Sequence, residues 1–169
     1  MTWNDFLTIT HIIGTALGVG GATFAEIFYQ KAIADGTVDP TEGAFLRTTY
    51  RILRIGMILL VLSGFGYFLL FRLEDHGSRL YSEKIWAKLT IVALILVNAI
   101  LLELRKIPYW LGSSISITSW YAALILGTWG RRGLSYFLVI ALYVAALIVV
   151  TAGLELLRRK QAKGRVRTT

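Results

Sequence analysis

The 169-residue sequence contains no cysteine. Disulfides, thiolate metal sites, iron–sulfur clusters and covalent c-type haem attachment are therefore excluded. Histidine is nearly as scarce. His11 and His76 are the only two, so a bound metal or haem must draw on them, on carboxylates, on lysine or on methionine. Proline occurs twice, in Asp39-Pro40, which reads as a turn, and at Pro108, which reads as a break between apolar runs. The apolar/polar alternation of a membrane β-barrel is missing. The chain opens Met-Thr-Trp-Asn-Asp with no basic segment ahead of its first apolar run, so no secretory leader is expected. Nothing resembles a hydrolytic triad, a phosphate-binding glycine loop or a closed zinc motif.

What is abundant is apolar sequence. Apolar residues make up 56% of the chain and mean hydropathy is +0.63, well above the balance of a soluble domain. A membrane-spanning helix needs roughly 20 mostly apolar residues. Five runs approach that length: 6–29, 52–71, 85–104, 111–129 and 134–157. The expectation is an all-α integral membrane protein, one bundle of five transmembrane helices over residues 1–169, with a basic tail over 158–169. Trp3, Trp86, Tyr109, Trp110, Trp129 and Tyr136 fall near the predicted boundaries, as an aromatic belt should.

The net charge of +8 is unevenly placed. With five spans, one side holds Arg72, Arg79, Lys84, Arg131 and Arg132. The other holds Lys31, Arg47, Arg51, Arg54, Arg105, Lys106 and every basic residue from Arg158 onward. The positive-inside rule then puts the amino terminus outside and the tail in the cytoplasm, in a cytoplasmic (inner) membrane. Arg131 and Arg132 run against this assignment. Such a tail anchors topology and meets anionic membrane lipid, so no nucleic-acid partner is expected.

An ionisable side chain within an apolar span is costly and marks a site by default. His11 lies in the first run and Lys88 in the third. Odd-numbered helices run in the same direction, and both residues sit on the order of 5–8 Å inside the outer boundary at 1.5 Å per residue. They are expected to converge. A neutral imidazole offers a lone pair to iron or copper. The lysine pairs with a ligand carboxylate such as a haem propionate, or simply snorkels to the interface. Gly14, Gly18 and Ala22 form a stripe of small residues on the His11 face, open to close packing by a helix or a flat ligand. His76 is on the same side as His11, which allows a two-histidine metal site or a copper site completed by Glu74 or Asp75. At the opposite end, Glu26, Glu103 and Glu155 face Arg47, Arg51, Arg54 and Arg105, a layer expected to form ion pairs.

His11-Ile-Ile-Gly14 followed by Gly20-Gly21 resembles the first helix of the HemJ and CopD-like membrane families. Thr49-Tyr50-Arg51-Ile52 leading to Met57 and Gly64 resembles their second helix, and Trp86-Ala87-Lys88-Leu89 their third-helix motif. The likeness covers residues 6 to 105 and rests on short motifs. HemJ proteins are b-haem-associated enzymes that oxidise protoporphyrinogen IX. The resemblance implies that His11 is an axial haem ligand and Lys88 its required partner. The chain departs from HemJ in the second half of its first helix and in its fifth helix.

The expectation is thus a membrane-embedded redox protein holding haem b. Its site residues are His11, Gly14, Gly18, Arg51 and Lys88, with His11 and His76 as candidate metal ligands. Lys88 is the candidate catalytic residue of a protoporphyrinogen oxidase-like reaction. Quinone or a porphyrin is the expected partner molecule and a homodimer the expected assembly. Two other classes compete: a copper-handling or small-solute transport protein, and a cofactor-free scaffold subunit.

Overall fold

The computed structural model describes residues 2–32, 37–74, 80–129 and 135–166, with side chains to residue 160. Five helices account for nearly all of it: α1 (Trp3–Ala32), α2 (Pro40–Leu73), α3 (Glu83–Glu103), α4 (Tyr109–Thr128) and α5 (Tyr136–Val166). There is no strand among the described residues. Four helices, α1, α2, α3 and α5 as far as Lys160, are long and apolar enough to cross a membrane. Their large apolar side chains point outward, among them Ile12, Leu62, Ile100 and Val149, as expected where the surrounding solvent is hydrocarbon.

α2 begins a full three turns before the expected span. The sequence Asp39-Pro40, read as a turn, is a helix start. Asp39 accepts from the Glu42 backbone N–H, Glu42 reaches back to the Asp39 N–H, and Pro40 occupies the first turn. This capping box satisfies two otherwise orphaned donors and sets the helix boundary. α5 likewise continues to Val166, so the expected tail is in large part the last turns of a helix. α3 ends with Arg105 in the left-handed region at φ 53. The N–H groups of Arg105 and Lys106 turn back to the carbonyls of Leu102 and Leu101, closing the helix in a Schellman arrangement.

α1 and α2 form an antiparallel pair whose backbones touch. A Cβ on Gly14 would lie 2.9 Å from the Gly56 carbonyl oxygen, and one on Gly56 would lie 2.8 Å from the Gly18 nitrogen. Gly21 meets Leu53, and Gly66 meets Leu7. Membrane helices associate this way because small residues permit extensive van der Waals contact, with no water to drive burial.

α4 stands between the α1–α2 pair and the α3, α5 side, contacting α1, α3 and α5. Its fully buried Trp120 fills the notch at Gly18. Its polar residues face inward and are largely satisfied locally. Ser114 donates to the Trp110 carbonyl and Thr118 to that of Ser114. Ser119 bonds the Tyr143 hydroxyl at 2.9 Å, and Asn98 donates to the Gly112 carbonyl. This inward polar content is why α4, expected as a span, falls outside the set of four.

Candidate functional site

His11 acquires its environment from the glycine crossing. His11 and Gly18 are two turns apart on α1, and Gly56 and Ser63 are two turns apart on α2. Once Gly18 and Gly56 touch, the antiparallel register brings His11 level with Ser63. Its Nδ1 lies 2.9 Å from the Ser63 Oγ. Ser63 is buried, and its hydroxyl donates within its own helix to the Leu59 carbonyl at 2.7 Å, with Leu60 at 3.1 Å. A hydroxyl has one hydrogen and two lone pairs. With the hydrogen directed to Leu59, Ser63 accepts from His11 Nδ1–H. In the neutral ring this places the lone pair on Nε2. Nε2 has no hydrogen-bond partner among the described residues and is not sealed from the surface.

The ring is held from a second direction by Tyr67, edge-on at 6.0 Å between centroids. The Tyr67 hydroxyl meets Thr8 Oγ1 at 2.5 Å. Lys88, half-buried on α3, is close enough to His11 to act on it electrostatically. Lys88 makes no hydrogen bond or ion pair with another described residue. Lys84, one turn earlier, bonds the Trp129 carbonyl. His11 and Lys88 thus lie within electrostatic range of each other, with no hydrogen bond between them.

The other expected site residues are elsewhere. Arg51 is exposed on α2, twelve residues from Ser63, about 18 Å along the helix, so it does not join His11. His76 lies outside the described residues. Gly14 and Gly18 lie on the face occupied by α2 and Trp120. They serve helix packing, and that face has no room for a macrocycle. Among the described residues, no group of three or more histidine and acidic side chains gathers into a metal site.

A second polar cluster lies at the other end of the bundle, in part as expected. Glu26 is 3% exposed, but its partner is Arg158 of α5, at 2.7 Å, rather than one of the loop arginines. The same guanidinium donates to Ser113 at 3.0 Å and lies 5.8 Å from the centre of the Tyr29 ring. Gln30 donates to Glu26, and Tyr29 stacks obliquely on Tyr109 at 3.8 Å. Glu26 Oε2 and Arg158 Nε are both buried without a partner. Arg54–Glu103 forms as expected, at 2.7 Å between α2 and α3, whereas Glu155 pairs with Arg159 of its own helix rather than with one of the expected arginines.

Ser63, Tyr67 and Arg158 were not singled out by their sequence context. Ser63 had a usable signal in its two-turn spacing from Gly56. Arg158 had one in its depth, since it follows the apolar part of α5 just as Glu26 ends that of α1. Comparison with protein-family models, with curated proteins and with solved structures gives no match to this chain.

Proposed function

We propose that this chain is a five-span membrane redox protein that binds b-type haem through His11. The carrying observation is the Ser63 bond to Nδ1, which leaves Nε2 as the lone-pair nitrogen of the neutral ring. That is the state an axial ligand requires, and the orienting bond to the other ring nitrogen is the usual support for such a ligand. A porphyrin supplies its own four nitrogens, so one protein ligand suffices where a copper ion needs several. Lys88 supplies a cation for a propionate within the same region.

Haem, when bound, supplies one-electron chemistry whose potential responds to the axial ligand and to burial. His11 binds, Ser63 and Tyr67 orient it, and Lys88 offsets negative charge. Electron transfer, or a HemJ-like porphyrinogen oxidation delivering electrons to quinone with Lys88 at the substrate, is the corresponding activity. Because α2 and Trp120 cover Gly14 and Gly18, the macrocycle must lie on another side of His11. Gly20 and Gly64, with nothing within 4 Å of an added Cβ, leave close-approach positions for a second copy. A homodimer belongs to the same proposal.

α4 is the fifth span in this reading. Its polar groups are turned inward, so its outer surface remains acceptable to lipid. The charge asymmetry supports an outside amino terminus and a cytoplasmic carboxyl terminus in the inner membrane. The filled glycine face gives one competitor, a cofactor-free scaffold, an observation of its own. Oxidised and dithionite-reduced absorption spectra of the detergent-purified protein and of His11→Ala separate the two. Haem binding gives a Soret band with reduced α and β bands that His11→Ala loses. A scaffold gives a colourless wild type, even from haem-replete cells, with His11→Ala lowering only stability.

A further inference from the structure

A groove of about 650 Å³ opens on the outside of the bundle, between the start of α4 and the middle turns of α5. Its α5 wall is one helix face, Leu147, Ile148 and Ala152 leading to Glu155 and Arg159. Trp110 of α4 forms the other side. The floor is apolar and both charged residues sit at one end. From Leu147 to Arg159 the groove runs twelve residues, about 18 Å along the helix axis. One leaflet of bilayer hydrocarbon is about 15 Å deep. The groove thus spans one leaflet from mid-bilayer to headgroup level, and Trp110 stands at the depth where indole rings favour the interface.

The charged end carries one carboxylate, Glu155, and two exposed cations, Arg159 and Lys160, an excess of one positive charge. Arg159 donates through Nε to Glu155 Oε1 at 2.8 Å, which fixes the guanidinium beside the groove. Its four remaining N–H groups are available for bidentate contact with a phosphate. Lys160 adds a second exposed cation beside it. Arg158 is turned away into the bundle to pair with Glu26, so Arg159 is the arginine of this turn that a headgroup can reach.

We propose that this groove is a binding site for one anionic phospholipid, its acyl chain along Leu147–Ala152 and its phosphate on Arg159. The inference is independent of the haem reading. It is tested by native mass spectrometry of the full chain after exchange into mixed nanodiscs of phosphatidylglycerol and phosphatidylcholine. The wild type is expected to retain one lipid and to select phosphatidylglycerol by about fivefold, the scale of one cation near a charged headgroup. Arg159→Gln should bring the two lipids close to parity, and Ala152→Phe should lose both. Ala152 is exposed and the Arg159 side chain is 70% exposed, so both variants are expected to fold, which far-UV circular dichroism checks. Equal retention of the two lipids by the wild type would overturn the proposal. So would selectivity unchanged in both variants, or a lipid-free dimer with the groove covered by a second copy.

Discussion

At the scale of single residues, the molecule places two ionisable groups in apolar surroundings and treats them differently. His11 is oriented through Nδ1 by a serine whose own hydrogen is already committed to its helix. Glu26 is kept paired by an arginine 132 positions later in the chain. Removing one partner of a buried ion pair leaves an uncompensated charge and costs about 3–5 kcal/mol, whereas removing both costs far less. Arg158→Gln is therefore expected to lower the thermal midpoint in detergent sharply, and the double variant Glu26→Gln/Arg158→Gln to recover much of the loss. Additive losses across that cycle would show that the two residues stabilise the bundle separately. The Glu26 charge and the placing of His11 within electrostatic range of Lys88 were legible in the sequence, because depth along parallel helices follows from counting residues. The arginine partner was not. Arg158 belongs to a run of basic residues that reads as a solvated tail until the helix is seen to continue through it.

Among the helices, contact is governed by the absence of side chains. Gly14, Gly18 and Gly56 bring α1 and α2 to backbone contact and thereby set the level at which His11 meets Ser63. Overpacking such a contact costs about 1–3 kcal/mol. Gly56→Ala should be destabilised by that amount, as measured by thermal unfolding in detergent. It should also disturb the His11–Ser63 bond, seen as a changed imidazole nitrogen shift. An unchanged stability would mean that the crossing is looser than the 2.8 Å approach to Gly18 nitrogen implies. The end of α3 offers the opposite experiment. Arg105 holds a left-handed conformation that costs a non-glycine residue about 1 kcal/mol. Arg105→Gly should raise stability by about that amount, and a loss would show that its side chain outweighs the strain. The small-residue stripe on α1 was visible in the sequence, but its occupant was not. Period and residue size identify a face that can be approached closely, and only tertiary structure shows that α2 and an indole ring fill it. The early start of α2 was missed for a local reason, since Asp39-Pro40 begins a turn and a helix equally well and the decision rests on Glu42.

For the whole molecule, the polar helix α4 packs between α1 of the α1–α2 pair and the apolar α3 and α5. That arrangement explains why hydropathy divides the five helices into four and one, although α4 with 20 residues is nearly as long as α3 with 21. The serines and threonines of α4 lower its hydropathy while donating to their own helix or reaching Tyr143, so their polarity is neutralised inside the bundle. The proposed five-span path would place the two chain ends on opposite sides of the membrane, and the absence of native cysteine makes that directly measurable. Thr2→Cys should react with an impermeant maleimide in intact cells, whereas Lys160→Cys should react only after lysis. Labelling of both from the same side would remove α4 from the membrane or reverse the orientation.

The central claim is that His11 is a haem ligand, and imidazole rescue tests it most directly. The His11→Gly variant, purified from haem-replete cells, should lack the reduced α and β bands of the wild type and regain them when free imidazole is added. Bands that persist unchanged in His11→Gly, or a wild type that carries no haem, would contradict it.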